Sequence, residues 1–359
     1  MVKLADIAKK AGVSESTASR ALANNPRISV EKRQLIQKIA LDAGYKVNQV
    51  ARNLRARSTQ TIGLVVPEVS NPFFPKLVQL LADAAREAGY RLQLNLSGAG
   101  QDAEGDCLTS LSEQRVDGVV LVTSENGLVA REGLDAMVLA GVPVVLLGWV
   151  KDAPPVDMVF GDDATGGYLI AKHLIELGHR RIATLGAAPH RGPFDRMVGF
   201  EIGLKEAGIA VEMEISARND HEIKLGIDKL LAVPNPPTAI FAYQDSLAAM
   251  ACRSLRQSCV AIPDAISIAG FDNLDLGTYL CPQLTTVDLS MNEMASAAVS
   301  ALVERMKSPN FQCDPKQIVI CPRLVVRETC SQPRSKNSIR TVADQSRQFS
   351  PCEAAEKES

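Results

Sequence analysis

The sequence predicts a small all-α head followed by a larger α/β body. Three observations predict it. Short stretches with helical spacing fill the first sixty residues; from Thr61 onward β-branched runs alternate with amphipathic segments; and the charge divides at the same place. The chain has 359 residues and a net charge of -2. Residues 1–60 hold twelve Lys and Arg against four Asp and Glu, a net +8, which leaves -10 for the remainder. A basic head on an acidic body implies a polyanionic partner for the head, or simply a solvated basic helical surface.

Within the head, residues 4–11 repeat apolar positions at helical spacing and Gly12 ends the segment. Ser14 is placed as the N-cap of a second helix running to Leu22. Two short helices joined by a tight turn at Gly12-Val13 form a helix-turn-helix pattern. A third helix fits Val30–Ala43, with Ser29 as its cap and Gly44 at its end. A fourth short stretch, Asn48–Arg55, is basic, with Val50, Ala51 and Leu54 interleaved, and residues 56–60 read as a linker.

In the body, Thr61–Val66 is a β-branched run, and a helix from Phe73 to Ala88 carries the stripe Leu77, Leu80, Leu81, Ala84, Ala85, Ala88. Further strands are expected at Arg91–Leu96, Gly118–Val122, Pro143–Leu147, Arg181–Leu185, Ala239–Ala242 and Ile266–Gly270. Strands alternating with helices imply parallel sheets covered on both faces. Two clusters of such units, before and after about residue 160, suggest two similar lobes. Gly44, Gly89, Gly141, Gly178 and Gly208 each follow a helical run, as glycine C-caps do. The tail from Ser331 is polar and expected to be disordered.

Several function classes are disfavoured. No apolar run reaches about 18 residues, so no membrane span is expected, and the N-terminus lacks a signal-peptide core. The eight cysteines (107, 252, 259, 281, 313, 321, 330 and 352) form no Cys-x-x-Cys pair and read as reduced thiols of a cytoplasmic protein. His173, His179, His190 and His221 show no metal-ligand spacing, and there is no Gly-x-Ser-x-Gly elbow. Gly98-x-Gly100-x-x-Ala103 is a weak dinucleotide signal after the second strand of its lobe. Asp162-Asp163 and Asp102/Glu104 read as loop and helix-start acids. No enzyme activity, metal or cofactor is expected.

The segment Asp6-Ile-Ala-x-x-Ala-Gly-Val-Ser-x-Ser-Thr-Ala-Ser-Arg20 resembles the head of the LacI/GalR family of bacterial transcriptional regulators. Gly44-Tyr-Lys-Val-Asn-Gln-Val-Ala-Arg-Asn-Leu54 is similar to that family's hinge helix. Later matching blocks include Asn71-Pro-Phe-Phe74, Leu177-Gly-His-Arg-Arg-Ile182, Arg196-Met-Val-Gly-Phe200 and Ile268-Ala-Gly-Phe-Asp272, so the likeness spans about residues 2–329. Lys3 departs from it, standing where a capping Thr is common. The resemblance implies a helix-turn-helix domain (1–46), a hinge helix and linker (47–60), and a periplasmic-binding-protein-like core. That core would have an N-terminal lobe (61–160 with 290–320) and a C-terminal lobe (161–289 with 321–330), with 331–359 as tail.

A recognition helix in the major groove presents its early side chains to base edges. Here those are Glu15, Ser16 and Arg20, and Arg20 suits the O6 and N7 atoms of guanine. Ser14, Asn24, Asn25, Arg27 and Ser29 are placed to reach phosphates, which position but do not specify. Arg20 could equally make a surface salt bridge, and Glu15 could be merely tolerated near phosphate. For the hinge set Asn48, Val50, Ala51, Arg52, Leu54 and Arg55, the resemblance implies Leu54 wedging into the minor groove, with packing on the body as the alternative.

A cleft between two α/β lobes is a favoured ligand site, with strand carboxyl ends facing it. Expected there are Asn71, Phe73, Phe74, Ser124, Trp149, His190, Arg191, Arg196, His221, Gln244, Asp245 and Asp272. By resemblance Arg196 and Asp272 are the polar anchors of a small effector. Trp149 or the Phe pair would stack on it, and His221 would close the pocket. Trp149 and the Phe pair could instead be packing residues, and Asp245 could support the fold. Gly148 stands where some members carry an acid, and His190 and Arg191 add positive charge beside Arg196, which favours an anionic effector such as a sugar acid.

The expected protein is therefore a cytoplasmic, homodimeric repressor of carbohydrate or sugar-acid genes, binding a pseudo-palindromic double-stranded DNA operator under control of a small effector. Dimerisation is implied by the family and fits the apolar 73–88 helix and the adjacent sheet edge. Rival readings are a purine- or neutral-sugar-responsive regulator, a solute-binding protein without DNA role, and a sugar-modifying enzyme.

Overall fold

In the computed structural model the described residues are 2–45, 58–98, 101–123, 129–186, 195–217, 219–307 and 314–333. The expected hinge helix Asn48–Arg55 lies outside them, as does the tail beyond Pro333. Two units divide the chain, residues 1–59 and 60–359.

The first unit holds helices α1 (Leu4–Lys10), α2 (Glu15–Leu22) and α3 (Val30–Asp42). Lysine has no side-chain acceptor to cap α1 from position 3. The carboxylate of Asp6 reaches back instead and accepts the Lys3 backbone N–H at 2.8 Å, so one orphan donor of the first turn is satisfied from the N3 side. Ser14 caps α2, accepting the Thr17 N–H at 3.2 Å. Ser29 occupies the cap position of α3, but its hydroxyl makes no capping hydrogen bond. Ile7 and Ile36 are fully buried against Ala8, Ala18, Ala21 and Ala40. The small residues on α2 let the three helices approach closely around a minimal core.

The second unit begins with β1 (Thr61–Val66), α4 (Phe73–Glu87), β2 (Arg91–Leu96), α5 (Gln101–Glu113), β3 (Gly118–Val122), α6 (Arg131–Leu139), β4 (Val144–Leu147) and β5 (Asp157–Gly161). It continues through α7 (Asp163–Glu176), β6 (Ile182–Leu185), α8 (Arg196–Glu206), β7 (Val211–Ile215), α9 (Asp220–Ala232), β8 (Ala239–Ala242), α10 (Asp245–Gln257) and β9 (Ser267–Ala269). It closes with α11 (Leu276–Tyr279), β10 (Thr286–Asp288), α12 (Met291–Lys307), β11 (Gln317–Ile320) and β12 (Arg323–Val325).

Two parallel sheets result, with strand orders β11-β5-β4-β3-β1-β2 and β7-β6-β8-β9. A short antiparallel ribbon pairs β10 with β12. The strands β3, β4 and β5 are buried along their whole length, as strands of a doubly covered parallel sheet should be. Of the glycine stops, Gly89 has φ +87° and lets the Tyr90 N–H return to the Ala85 carbonyl at 2.8 Å, ending α4 before β2 begins.

Helices α7 and α8 touch backbone to backbone. A Cβ on Gly199 would lie 1.7 Å from the Ala164 carbonyl oxygen, and one on Gly167 would lie 1.8 Å from the Arg196 carbonyl oxygen. Only glycine permits this approach, and it sets the first residue of α8 beside the first turn of α7.

The structure corrects the start of the tail. Ser331 is fixed: its carbonyl accepts from Nε2 of buried His179 at 2.9 Å. A carbonyl can only accept, so Nε2 carries the proton and Nδ1 accepts from the Thr238 hydroxyl at 2.9 Å. Burial pushes the His179 pKa down to about 4, against an ordinary 6.5. The folded protein thus prefers the neutral ring. Its contribution to stability is fully present above pH 6.5 and is lost as pH falls toward 4. The total is about 3 kcal/mol. Urea titrations at a series of pH values between 7 and 4 are expected to show a shallower loss of stability in His179→Gln than in the wild type. Parallel curves would remove His179 from the acid sensitivity.

Candidate functional site

The site forms where strand carboxyl ends of the two parallel sheets face one another. Asn71 follows β1, Gly148 and Trp149 follow β4, Asp163 follows β5, and Tyr243, Gln244 and Asp272 follow β8 and β9. They line one cavity with Phe73, Phe74, Phe160, Asp195 and Arg196. Its empty volume, with the open mouth and the solvent space before it included, is about 910 Å³. Phe73 and Phe74 meet edge to face, with ring centroids 5.4 Å apart. The Asn71 amide donates to Oε1 of Gln244 at 3.3 Å and so spans from the first sheet to the second.

Arg196 is the centre of the polar wall. It opens α8 and is 5% exposed. Its Nη2 and Nε donate to Oδ2 of Asp163 at 2.6 and 3.2 Å. Its Nη1 donates to the Tyr243 carbonyl at 2.6 Å and to Oδ1 of Asp272 at 3.2 Å. The guanidinium plane lies 3.8 Å from the centroid of the Phe271 ring and 4.5 Å from that of Tyr243. Burial disfavours its charge, but the carboxylates of Asp163 and Asp272 outweigh that and hold the pKa above the ordinary value. Asp272 is driven the other way, because burial, relieved by Arg196 but reinforced by Asp245 and Asp163, lifts its carboxyl above the usual range. Two carboxyl groups, Asp163 and Asp272, share one cation, so the guanidinium stays charged and Asp272, the more buried of the two, carries the strain.

The structure brings together Asn71, Phe73, Phe74, Trp149, Arg196, Gln244 and Asp272 of the expected ligand set. Two expected members are elsewhere. His221 is exposed on the first turn of α9 and does not line the cavity. Asp245 is fully buried, accepts the Leu274 N–H at 2.7 Å and the Thr286 hydroxyl at 2.6 Å, and is likewise absent from the lining. It supports the fold behind Asp272. Ser124, His190 and Arg191 lie outside the described residues, as do Asn48, Val50, Ala51, Arg52, Leu54 and Arg55.

Asp195 and Tyr243 line the site without having been singled out, and so does Asp163, which in sequence reads as a loop or helix-start acid. Asp163 was legible only if β5 had been recognised, because it is the end of that strand that carries it to the cavity. Gly148 admits no side chain: at φ +125° a Cβ would lie 2.0 Å from Oγ1 of Thr123. An acid at this position would not fit here.

On the head, Glu15, Ser16 and Arg20 are exposed on α2, with Ser16 and Arg20 one helical turn apart. Ser14, Arg27 and Ser29 are exposed as well. Asn24 and Asn25 also organise the turn between α2 and α3. Asn24 has φ +56° and its Oδ1 accepts from Gln37 at 2.7 Å, while Oδ1 of Asn25 accepts the Arg27 N–H at 2.9 Å.

Removing Arg196 would leave Asp163 and Asp272 without their cation. Breaking such a buried group from one side typically costs about 3–5 kcal/mol. Arg196→Ala is therefore expected to unfold at markedly lower denaturant, with Arg196→Lys only partly restored because one ammonium cannot span Asp163, Asp272 and the Tyr243 carbonyl. Equal midpoints for wild type and Arg196→Ala would contradict the hub role.

Among the described residues no helix is long and apolar enough to cross a membrane, and no cluster of His, Cys, Asp and Glu has the makings of a metal site. Residues 3–48 match the family of bacterial regulatory proteins of lacI type, and residues 171–330 match a periplasmic binding protein-like domain. The chain is 33% identical to the HTH-type transcriptional regulator DegA of Bacillus subtilis over 331 residues, covering 91% of this chain and 97% of that one. It is 31% identical to the ribose operon repressor of Haemophilus influenzae, covering 92% and 98%. Among solved structures, the lac repressor dimer bound to operator and an anti-inducer superposes with a TM-score of 0.80 at 23% identity, covering 92% of this chain and 99% of that one. The regulator CelR in complex with cellobiose gives 0.67 at 27% identity, covering 92% and 100%. With its helix-turn-helix head, its two facing parallel sheets and relatives matched along nearly their whole length, this chain belongs to the LacI family of bacterial transcriptional regulators.

Proposed function

We propose that this regulator is a homodimeric repressor acting in the cytoplasm, whose operator affinity is set by a small neutral carbohydrate bound between the two sheets. The observation that carries the ligand class is the commitment of Arg196. Its donors already serve Asp163, Asp272 and the Tyr243 carbonyl. Four of its five N–H donors are taken by these groups, so an anion could engage only the remaining Nη2 N–H without displacing one of them, and would do so beside the Asp163 carboxylate. Unit charges 4 Å apart at a partly buried site interact by about 4 kcal/mol. Arg196 therefore gives no support to the sugar acid favoured from sequence. A sugar's hydroxyls donate to carboxylates, and its apolar face packs on Trp149 and the Phe pair. Among similar proteins a ribose operon repressor and a cellobiose complex fit this class. A repressor named for purines, PurR of Photobacterium profundum at 31% identity, supports a second reading in which a planar base stacks on the same aromatic wall.

On the DNA side, Arg20, Ser16 and Glu15 read bases, while Ser14, Asn24, Asn25, Arg27 and Ser29 hold phosphates. One head covers a half-site, so a dimer reads a pseudo-palindrome. The ligand acts by binding one of two lobe arrangements better than the other, and only that difference reaches the DNA. No catalytic step is assigned to the cavity.

The ligand class is tested by thermal denaturation with D-ribose, D-glucose, cellobiose, D-gluconate, D-glucuronate and hypoxanthine. A ligand at about 100 times its Kd stabilises by about 2.7 kcal/mol. A neutral sugar is expected to raise the Tm, and Trp149→Ala to abolish the rise. Stabilisation by the acids or the purine alone would overturn the assignment. For the DNA side, binding sites are selected from a random duplex pool with wild type and Arg20→Ala. The variant is expected to lose preference at one position in each half-site and about 1–3 kcal/mol of affinity for the selected sequence. An unchanged consensus would remove Arg20 from the base-reading set.

A further inference from the structure

Asp272 and Asn273 have φ +108° and +49°, two successive non-glycine residues in a conformation that L side chains rarely adopt. Such backbone is strained and persists only where the surroundings over-determine it. The surroundings here converge on Asp245. The Leu274 N–H, immediately after the strained pair, donates to Oδ2 of Asp245 at 2.7 Å. The Asn273 N–H donates to the Thr286 hydroxyl at 3.3 Å, and that hydroxyl donates to Oδ1 of Asp245 at 2.6 Å. The Asp245 N–H donates in turn to the Phe271 carbonyl at 2.8 Å. One carboxylate thus receives the two amides that follow Asp272, one directly and one through a hydroxyl. Its own amide fixes the residue before. The packing leaves no slack, since a Cβ on Gly270 would lie 2.3 Å from Oδ1 of Asp245.

We infer that Asp245 is a positioning residue for ligand recognition: without touching the ligand, its carboxylate holds the 272–274 turn in the one conformation that presents Asp272 to the cavity. The inference rests on the proposal that Asp272 contacts the ligand. A carboxylate is suited to the task because it accepts two hydrogen bonds at once and has no donor to satisfy. An asparagine of the same size offers one acceptor and puts an N–H₂ group against either the Leu274 N–H or the Thr286 hydroxyl.

Hydrogen exchange on the full-length protein, read at the Asn273 and Leu274 amides, tests this. Asp245→Asn is expected to speed exchange at both amides at least tenfold, with Val120 and Leu146 of the first sheet unchanged. Thr286→Val is expected to do so at Asn273, and Thr286→Ser, which keeps the hydroxyl, to restore protection. The same variants are then heated with D-ribose, D-glucose or cellobiose, whichever stabilises the wild type. Asp245→Asn is expected to weaken that ligand at least tenfold, and Thr286→Ser to bind as the wild type does. Unchanged exchange at Leu274, acceleration spread equally over the whole second sheet, or undiminished ligand affinity in a loosened turn would each overturn the role of Asp245. Should none of the three sugars stabilise the wild type, the proposed ligand class has failed, and the exchange comparison alone decides on Asp245.

Discussion

The guanidinium of Arg196 is a point at which separate segments of the body become one site. It is anchored at the start of α8, and its partners lie at the start of α7, at the end of β8 and just past β9. None of these segments is adjacent to another in sequence. A cation in their midst is what makes it favourable for Asp163 and Asp272 to be buried side by side. The approach of α7 and α8 that this requires is set by glycines, because any Cβ at 167 or 199 would strike the opposite backbone. Packing therefore places the charge, and the charge then fixes the strand ends. The stacking of Phe271 and Tyr243 against the guanidinium adds a desolvated face to each side of the hub.

This order of causes shapes what the cavity can recognise. An arginine already satisfied by protein groups acts as scaffold, and the recognition atoms are those it leaves turned outward: carboxylate oxygens, the amides of Asn71 and Gln244, and the aromatic wall. That set accepts hydroxyl donors and covers an apolar ring face. Within the hub Arg196 and Asp272 are almost wholly buried, while Asp163 is partly exposed. Selectivity among neutral ligands then comes from the positions of a few acceptors. Small displacements of the Asp272 turn matter for that reason.

Much of this was legible in the sequence, and the gaps have physical reasons. The head was readable because its helices are punctuated by Gly12, Ser14 and Gly44, each with a local role that survives folding. The strands β1, β3, β4, β6 and β8 were readable because a buried parallel strand is a continuous apolar run. The strand β5, Asp157–Gly161, was not, since it opens on an acid whose carboxylate is held by Arg305 at 2.6 Å and closes on a glycine. The edge strand β7, Val-Glu-Met-Glu-Ile, alternates half-buried and exposed positions up to buried Ile215, a short period-two pattern that went unread. The three short strands β10, β11 and β12 owe their existence to partners far away in sequence. Arg196 and Asp272 were found through family likeness. That they satisfy each other is a tertiary fact which no local pattern carries.

The two sheets are joined across the cavity by polar contacts as well as by a shared apolar cluster. Apart from the Asn71–Gln244 hydrogen bond, Nζ of Lys76 on α4 donates to Oδ1 of Asp275 at 2.9 Å and to the Asn273 carbonyl at 3.4 Å. The Asp275 side chain is 72% exposed. An ion pair this open is worth about 0–1 kcal/mol and is screened by salt. Each sheet has a buried hydrophobic cluster of its own, and a third cluster includes residues of both, from Leu64 and Val145 to Phe241 and Phe271. Moving a two-state balance from 1:99 to 99:1 takes a differential affinity of about 5.5 kcal/mol. A ligand supplies that only through contacts it makes better in one arrangement than in the other. The Asn273 carbonyl ties Lys76 to the same turn that Asp245 braces from behind, so a contact across the cavity and Asp272 share one strained piece of backbone.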